Sequence, residues 1–425
     1  MLTPSHHEGE QQATDLQFED GRASERGTFE KLGFFSLMTS SERKWAMRNP
    51  ITRYATYSFS LMTFLLTLLF SAGGAMALGP ENLDLPEQAT VVFDQNHPAI
   101  KAVMAVQNRH TEKLMGEPGV VGTATGLSAH GQPAVLVLVE SFHSARAAHI
   151  PAVLDGQPVA VKITGKITAL KKGGIPATPG EDDTSTVCDV DPAAPFDRAV
   201  PIGVSTGHPA ITAGTIGARV TDGTNVYALS NNHVYADENL ASYNDEILQP
   251  GAFDGGSIGP NGTLIDGDEI GTLHDFEEIV FSASAGNIID AALAESAQDL
   301  LSNNTPCDGY GTPKSSTLAP RVNLKVKKYG RTTGLTSGII TAINATVNVG
   351  YDSGTARFVN QIIIEPGGFS AGGDSGSLVV AVGKGRTKAD ERKPVGLLFA
   401  GSTTITVANP IDAVLDRFGV TIDGE

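Results

Sequence analysis

From residue 197 onward, apolar positions come in short runs separated by Gly, Asn and Asp. Thr215–Val220, Val226–Ser230, Val322–Tyr329, Gly338–Ile343, Phe358–Ile364, Leu378–Val382 and Val395–Phe399 each read as a strand. Many short strands with little helix predict a sandwich or a barrel. Residues 98–115 have a different period. Ile100, Val103, Met104, Val106 and Leu114 recur at helical spacing, with Pro98 near the start. Strand-like runs follow at Gly119–Leu127, Ala134–Glu140 and Val159–Thr164, the first two separated by Gly131-Gln132-Pro133. Residues 78–170 are therefore expected to form a small α/β unit. Residues 171–196 carry Lys171-Lys172-Gly173-Gly174, Glu181-Asp182-Asp183 and scattered prolines, a linker composition.

Near the N-terminus, residues 59–70 are apolar and uncharged. Arg48 and Arg53 precede them and Ala75-Met76-Ala77 follows. That layout predicts a secretory signal peptide over 47–77, cleaved after Ala77. A spanning helix needs roughly 20 apolar residues, and Gly73-Gly74 cuts this run short. Residues 1–46 are polar and aperiodic, which fits a disordered extension or a start at Met47. The mature chain is then expected to be secreted or periplasmic, with no stable membrane association.

The formal net charge of -17 argues against nucleic-acid binding, which needs clustered Lys and Arg. The two cysteines, Cys188 and Cys307, permit one disulfide in an exported protein. His143 and His149 lack metal-ligand spacing. No metal or organic cofactor is expected.

Three segments carry chemistry. Gly372-Gly373-Asp374-Ser375-Gly376-Ser377 sets a serine after an acid on a glycine-rich turn. A serine nucleophile needs exposure, a base, and nearby N–H groups for an oxyanion. Tyr227-Ala228-Leu229-Ser230-Asn231-Asn232-His233 is an apolar strand that ends by presenting a histidine. Asn287-Ile288-Ile289-Asp290-Ala291-Ala292-Leu293 is an apolar run broken by one acid, costly to bury unless it is paired. Asp245, Asp254, Asp266, Asp268 and Asp275 lie in Gly- and Asn-rich stretches and read as solvated loop residues.

The order His233, Asp290, Ser375 is that of the chymotrypsin-like triad. Gly373-Asp374-Ser375-Gly376-Ser377 resembles the nucleophile motif of chymotrypsin/trypsin-fold serine peptidases, and Gly330-Arg331-Thr332-Thr333-Gly334 resembles a segment of bacterial α-lytic-type members. The resemblance covers roughly residues 197–422. It implies two six-stranded antiparallel β-barrels over 197–425 and a secreted serine endopeptidase acting on protein or peptide. By it, the Gly373 and Ser375 amides form the oxyanion hole, and Arg331 pairs with Asp374. It also places the N-terminal unit where relatives carry a pro-domain, as in a zymogen. An independent binding module on a flexible linker is the other reading of that unit.

The sequence departs from the family in three places. Asn231-Asn232 precedes the histidine where Ala-Ala or Ala-Gly is usual. Phe399, in Leu398-Phe399-Ala400-Gly401, aligns with the serine of the substrate-binding strand, which removes a hydrogen-bond partner expected beside the buried aspartate. Phe369 stands at the pocket floor, where the lack of an acid implies no Arg/Lys preference and its bulk points to small apolar side chains. These changes sustain a second expectation, a protease-fold binding or adhesion module with little turnover.

Overall fold

In the N-terminal unit, the predicted periods become a helix on a sheet. The computed structural model describes residues 91–170, 188, 190–257 and 268–425. The expected extension, the signal peptide and most of the linker lie outside the described residues. Helix α1 spans Pro98–Met115, with proline in the first turn, where its missing N–H costs nothing. It packs Val103, Val106 and Leu114 against Val135, Val137 and Val139. Each such side chain contributes about 1.5–3 kcal/mol when fully buried. Strand β1 (Val120–Leu127) pairs antiparallel with β2 (Pro133–Val139), and β2 pairs parallel with β3 (Gln157–Ile163). A three-residue strand, β4 (Ile167–Ala169), follows.

The next sheet holds β5 (Ala218–Thr221), β6 (Val226–Ser230), β7 (Glu246–Leu248), β8 (Glu269–Phe276) and β9 (Ala292–Ser296). With the terminal strand Thr421–Ile422 it runs in the order β7-β8-β9-β6-β5-terminal. All its pairs are antiparallel. Its two edge strands do not pair with each other, so this six-stranded sheet curls without closing. Ile216, Ala228, Val234, Tyr235, Ile247 and Leu273 fill its interior.

The second sheet is built from β10 (Lys325–Gly330), β11 (Gly334–Tyr351), β12 (Gly354–Glu365), β13 (Leu378–Ala381), β14 (Pro394–Gly401) and β15 (Thr406–Pro410). The order β10-β13-β14-β15-β12-β11 returns to β10, so these six strands form a closed antiparallel barrel. Closure leaves no exposed edge within the ring. The β11–β12 hairpin outgrows that ring. Its register breaks three times between Ile340 and Val347, and such bulges bend a strand pair.

The protruding hairpin joins the N-terminal unit. β1 pairs with β11 through Ala342↔Gly126, Ile343↔Thr125, Thr346↔Thr123 and Val347↔Gly122. Fully buried Gln107 on α1 locks the joint: its Nε2 donates to the Asn344 carbonyl at 2.8 Å, and its Oε1 accepts from Thr125 Oγ1 at 2.7 Å. Leu136 and Leu138 share a core with Val347, Phe358 and Phe399. The described N-terminal residues are thus continuous with the barrel in sheet and in core, unlike a module held only by a linker. Cys188 and Cys307 are disulfide-bonded, with Cα atoms 6.3 Å apart. No described helix is long and apolar enough to cross a membrane.

Candidate active site

The two sheets meet where Ala218, Leu229 and Leu293 of one pack on Leu378, Val380 and Leu397 of the other. Chain ends from both sheets converge beside this seam. β6 runs out into the short helix Asn232–Tyr235, which carries His233. Asp290 lies just before β9, and Ser375 in the turn before β13. Neither His233, Asp290 nor Ser375 is more than 2% exposed.

His233 Nδ1 lies 2.6 Å from Asp290 Oδ2. The His233 amide donates to Asp290 Oδ1 at 3.3 Å. This leaves Nε2 as the ring's free position, buried and without a hydrogen-bond partner. Ser375 Oγ instead donates to the Phe399 carbonyl at 3.2 Å. The His–Asp contact is therefore made and the Ser–His contact is not.

The serine's loop is rigidly held. Gly373 (φ 99°) and Gly376 (φ 94°) take left-handed conformations that favour glycine. A Cβ on Gly376 would stand 2.2 Å from the Thr215 carbonyl. Thr215, in a short strand paired with Ser205–Thr206, ties the loop down: its Oγ1 donates to Gly373 O at 2.9 Å, and its amide donates to Ser375 O at 2.7 Å. Asp374, fully buried, accepts from the Thr332 and Ala371 amides, each at 2.9 Å, and from Thr333 Oγ1 at 2.7 Å.

The expected Arg331–Asp374 pair is corrected. Arg331 turns to Asp254, with Nε donating to Oδ2 at 2.7 Å and a second bond from its terminal nitrogen to Oδ1. Asp254, expected to be solvated, is buried in that fork and also accepts from Ser205 Oγ at 2.6 Å. The cation beside Asp374 is Lys328, fully buried, with Nζ 3.4 Å from Oδ2. Burial pushes the Lys328 ammonium pKa down, and Asp374 opposes that shift. The sequence held a signal for this lysine: strand alternation puts it on the same inward face as Val326. Asp245 and Asp275 are paired as well, with His208 at 3.1 Å and Arg417 at 2.9 Å.

The altered residues before His233 have structural work. Asn231 Nδ2 donates to the Asp290 carbonyl at 2.7 Å. Asn232 reaches Asn239 Oδ1 and the Glu277 carbonyl, each at 2.7 Å, and so braces the following turn. In that turn Asp237, Glu238 and Asn239 all have positive φ, between 44° and 74°. Such conformations cost of order 1–3 kcal/mol each without glycine and persist where surroundings impose them.

A length of the chain itself lies in the groove beside Ser375. β4 pairs antiparallel with β14 through Ala169↔Ala400 and Thr168↔Gly401. On its other edge it pairs parallel with β11 through Ile167↔Val349 and Thr168↔Gly350. Leu170 continues this strand. Its N–H donates to the Phe399 carbonyl at 3.2 Å, and its carbonyl accepts from the Gly373 amide at 2.7 Å. The Ser375 amide, the other donor expected from the sequence, makes no hydrogen bond to Leu170.

The Leu170 side chain is partly buried against the cluster that holds Phe369 and Leu398. A Cβ on Gly401 would stand 2.9 Å from the Ile405 carbonyl and 3.4 Å from Leu170 Cδ1, which places Gly401 beside that side chain. Phe369 is buried in that same cluster. Phe399 acts through its carbonyl; its ring packs on Phe358 with centroids 4.8 Å apart, away from the pocket role expected for it.

One residue escaped the sequence reading. Tyr351, at the end of β11, donates its hydroxyl to Asp290 Oδ2 at 2.8 Å. Nothing local marks it, because the partners are 61 positions apart. Among the described residues, no group of three or more His, Cys, Asp or Glu side chains could hold a metal ion.

The family described as Nal1 C-terminal domain matches residues 314–408. No curated protein matches the chain. Solved structures give broader but distant likenesses. A glutamic-acid-specific serine protease that uses a histidine triad in substrate binding is 22% identical; the match covers 52% of this chain and all of that one, with a TM-score of 0.37. Thermobifida fusca Protease A is 18% identical over 53% of this chain and 100% of its own, with a TM-score of 0.36. The α-lytic protease homolog N4 is 17% identical over 52% of this chain and 99% of its own, with a TM-score of 0.35. All three are named as proteases.

Proposed function

We propose that this protein is an exported serine endopeptidase that forms an acyl-enzyme on Ser375. One observation carries the reading: a peptide carbonyl, that of Leu170, accepts from the Gly373 amide while its own N–H is bonded to the groove strand. A protein built only to bind extended peptide needs the strand pairing alone. A backbone donor aimed at one carbonyl, two residues before a serine, is what stabilisation of an oxyanion needs.

In this reading Ser375 Oγ leaves the Phe399 carbonyl and gives its proton to His233 Nε2. It attacks the peptide carbonyl, and the C–N bond breaks as His233 protonates the leaving amine. Water, deprotonated by the same imidazole, then hydrolyses the ester. Asp290 holds the tautomer with Nδ1 protonated. The first bond cut is the one that follows Leu170, and the N-terminal unit then acts as an inhibitory pro-segment. Peptides with a leucine-like residue before the cut are the substrate class.

Full chain incubated alone should yield two fragments, the second beginning directly after Leu170. The second fragment should react with a fluorophosphonate. Ser375→Ala should stay in one piece and remain unlabelled, with turnover reduced on the order of 10⁶-fold. Cleavage or labelling of the Ser375→Ala chain would falsify the assignment. The reading of a binding module with little turnover draws on the unmade Ser375–His233 contact, and it predicts an intact, unlabelled wild-type chain.

A further inference from the structure

We propose that Tyr351 is a positioning residue of the His233–Asp290 pair, supplied by the hairpin that also grips the peptide. The proposal rests on the serine-peptidase reading. A carboxylate with no exposure needs partners for both oxygens. Asp290 Oδ1 has the His233 amide at 3.3 Å, a long bond. Oδ2 takes both His233 Nδ1 at 2.6 Å and the Tyr351 hydroxyl at 2.8 Å. Phe399, on β14, has no side-chain hydroxyl to offer this carboxylate. Tyr351 brings one from another strand.

The phenol is suited to donate. Burial first, then Asp290 and Glu238, push its pKa well above the usual tyrosine range, so it keeps its proton. Its ring is wedged by Phe281 at 5.6 Å and Phe358 at 6.1 Å between centroids, and it meets the His233 ring edge-on at 5.9 Å. The hairpin tip is held in turn. Buried Glu238 accepts from the Ser353 amide at 2.7 Å and the Asp352 amide at 3.3 Å. Glu238 belongs to the left-handed turn braced by Asn232. The strain in that turn thus lies on the path from His233 to the tip that carries Tyr351.

The same hairpin touches the peptide. Val349 and Gly350, directly before Tyr351, pair with Ile167 and Thr168. A peptide in this groove is a middle strand, flanked by β14 and β11, and filling it fixes the strand that delivers the hydroxyl. Orientation of the general base is thereby linked to occupancy of the groove.

Tyr351→Phe tests this, since it keeps the ring and its packing and removes one oxygen. The processed wild-type and variant proteins are compared on a peptide ester with leucine before the cut. The expected result is a fall in kcat of about 10- to 100-fold with KM within about twofold, the range set by one hydrogen bond to a charged group. The acid limb of the kcat/KM profile should move to higher pH, because Asp290 loses a donor and attracts the imidazolium more strongly. Unchanged kcat and an unmoved pH limb overturn the proposal. Should wild-type protein not turn over at all, the peptidase reading fails. The low-field proton resonance of the His233–Asp290 bond in Ser375→Ala and in Ser375→Ala/Tyr351→Phe then decides separately: a shift supports the positioning role, and coincident spectra reject it.

Discussion

The serine loop and the His–Asp pair each centre on a carboxylate with no exposure, and they are built in opposite ways. Asp374 is braced from within one barrel, by Lys328, Thr332, Thr333 and Ala371. The Asp290 carboxylate is held by His233 and Tyr351, 57 and 61 positions away, while Asn409, 119 positions away, bonds the Asp290 main-chain carbonyl. The first arrangement fixes the shape of a turn. The second brings elements of both sheets to one imidazole and leaves its other nitrogen open. One charge serves architecture, and the other is set to act on a proton.

That contrast can be broken by experiment. Asp290→Asn keeps the shape of the side chain and presents the wrong partner to His233 Nδ1. Turnover should fall on the order of 10⁴-fold, with the urea midpoint close to that of the wild type. A large loss of stability with little loss of rate per folded molecule would place Asp290 with Asp374 as an architectural charge. Lys328→Met removes the cation and leaves Asp374 buried and uncompensated. Urea unfolding should show a loss of about 3–5 kcal/mol. Stability within about 1 kcal/mol of wild type would mean that the loop amides alone hold the charge. Thr333→Val removes one hydroxyl from the same carboxylate and should cost about 1.5 kcal/mol, with kcat nearly unchanged. A larger effect on kcat than on stability would show that the loop transmits strain to Ser375.

The sequence reading was strongest where neighbours in the chain are neighbours in space. The period of α1 predicted Pro98–Met115 to the residue, and Val226–Ser230 emerged as β6 with the predicted ends. The glycines around Ser375 told their story locally because left-handed turns are a property of the residue itself. Arg331 failed for the opposite reason. The family resemblance paired it with Asp374, but the fold brought Asp254 across 77 positions into its fork. Lys328 lies within the Val322–Tyr329 strand run, where its parity with Val326 marks it as facing inward.

By itself, the sequence determined a β-rich body, an α/β unit ahead of it, and three chemically marked segments in triad order. Periodicity and turn chemistry are short-range, so one dimension suffices for them. Tertiary structure alone decided that β1 would extend the barrel hairpin, that Ile167–Leu170 would lie in the groove, and that Tyr351 would reach Asp290. Each of these depends on closing long loops and on which sheet edge is left open to pair. Such choices are made by the packing of the whole molecule and leave no mark on any one segment.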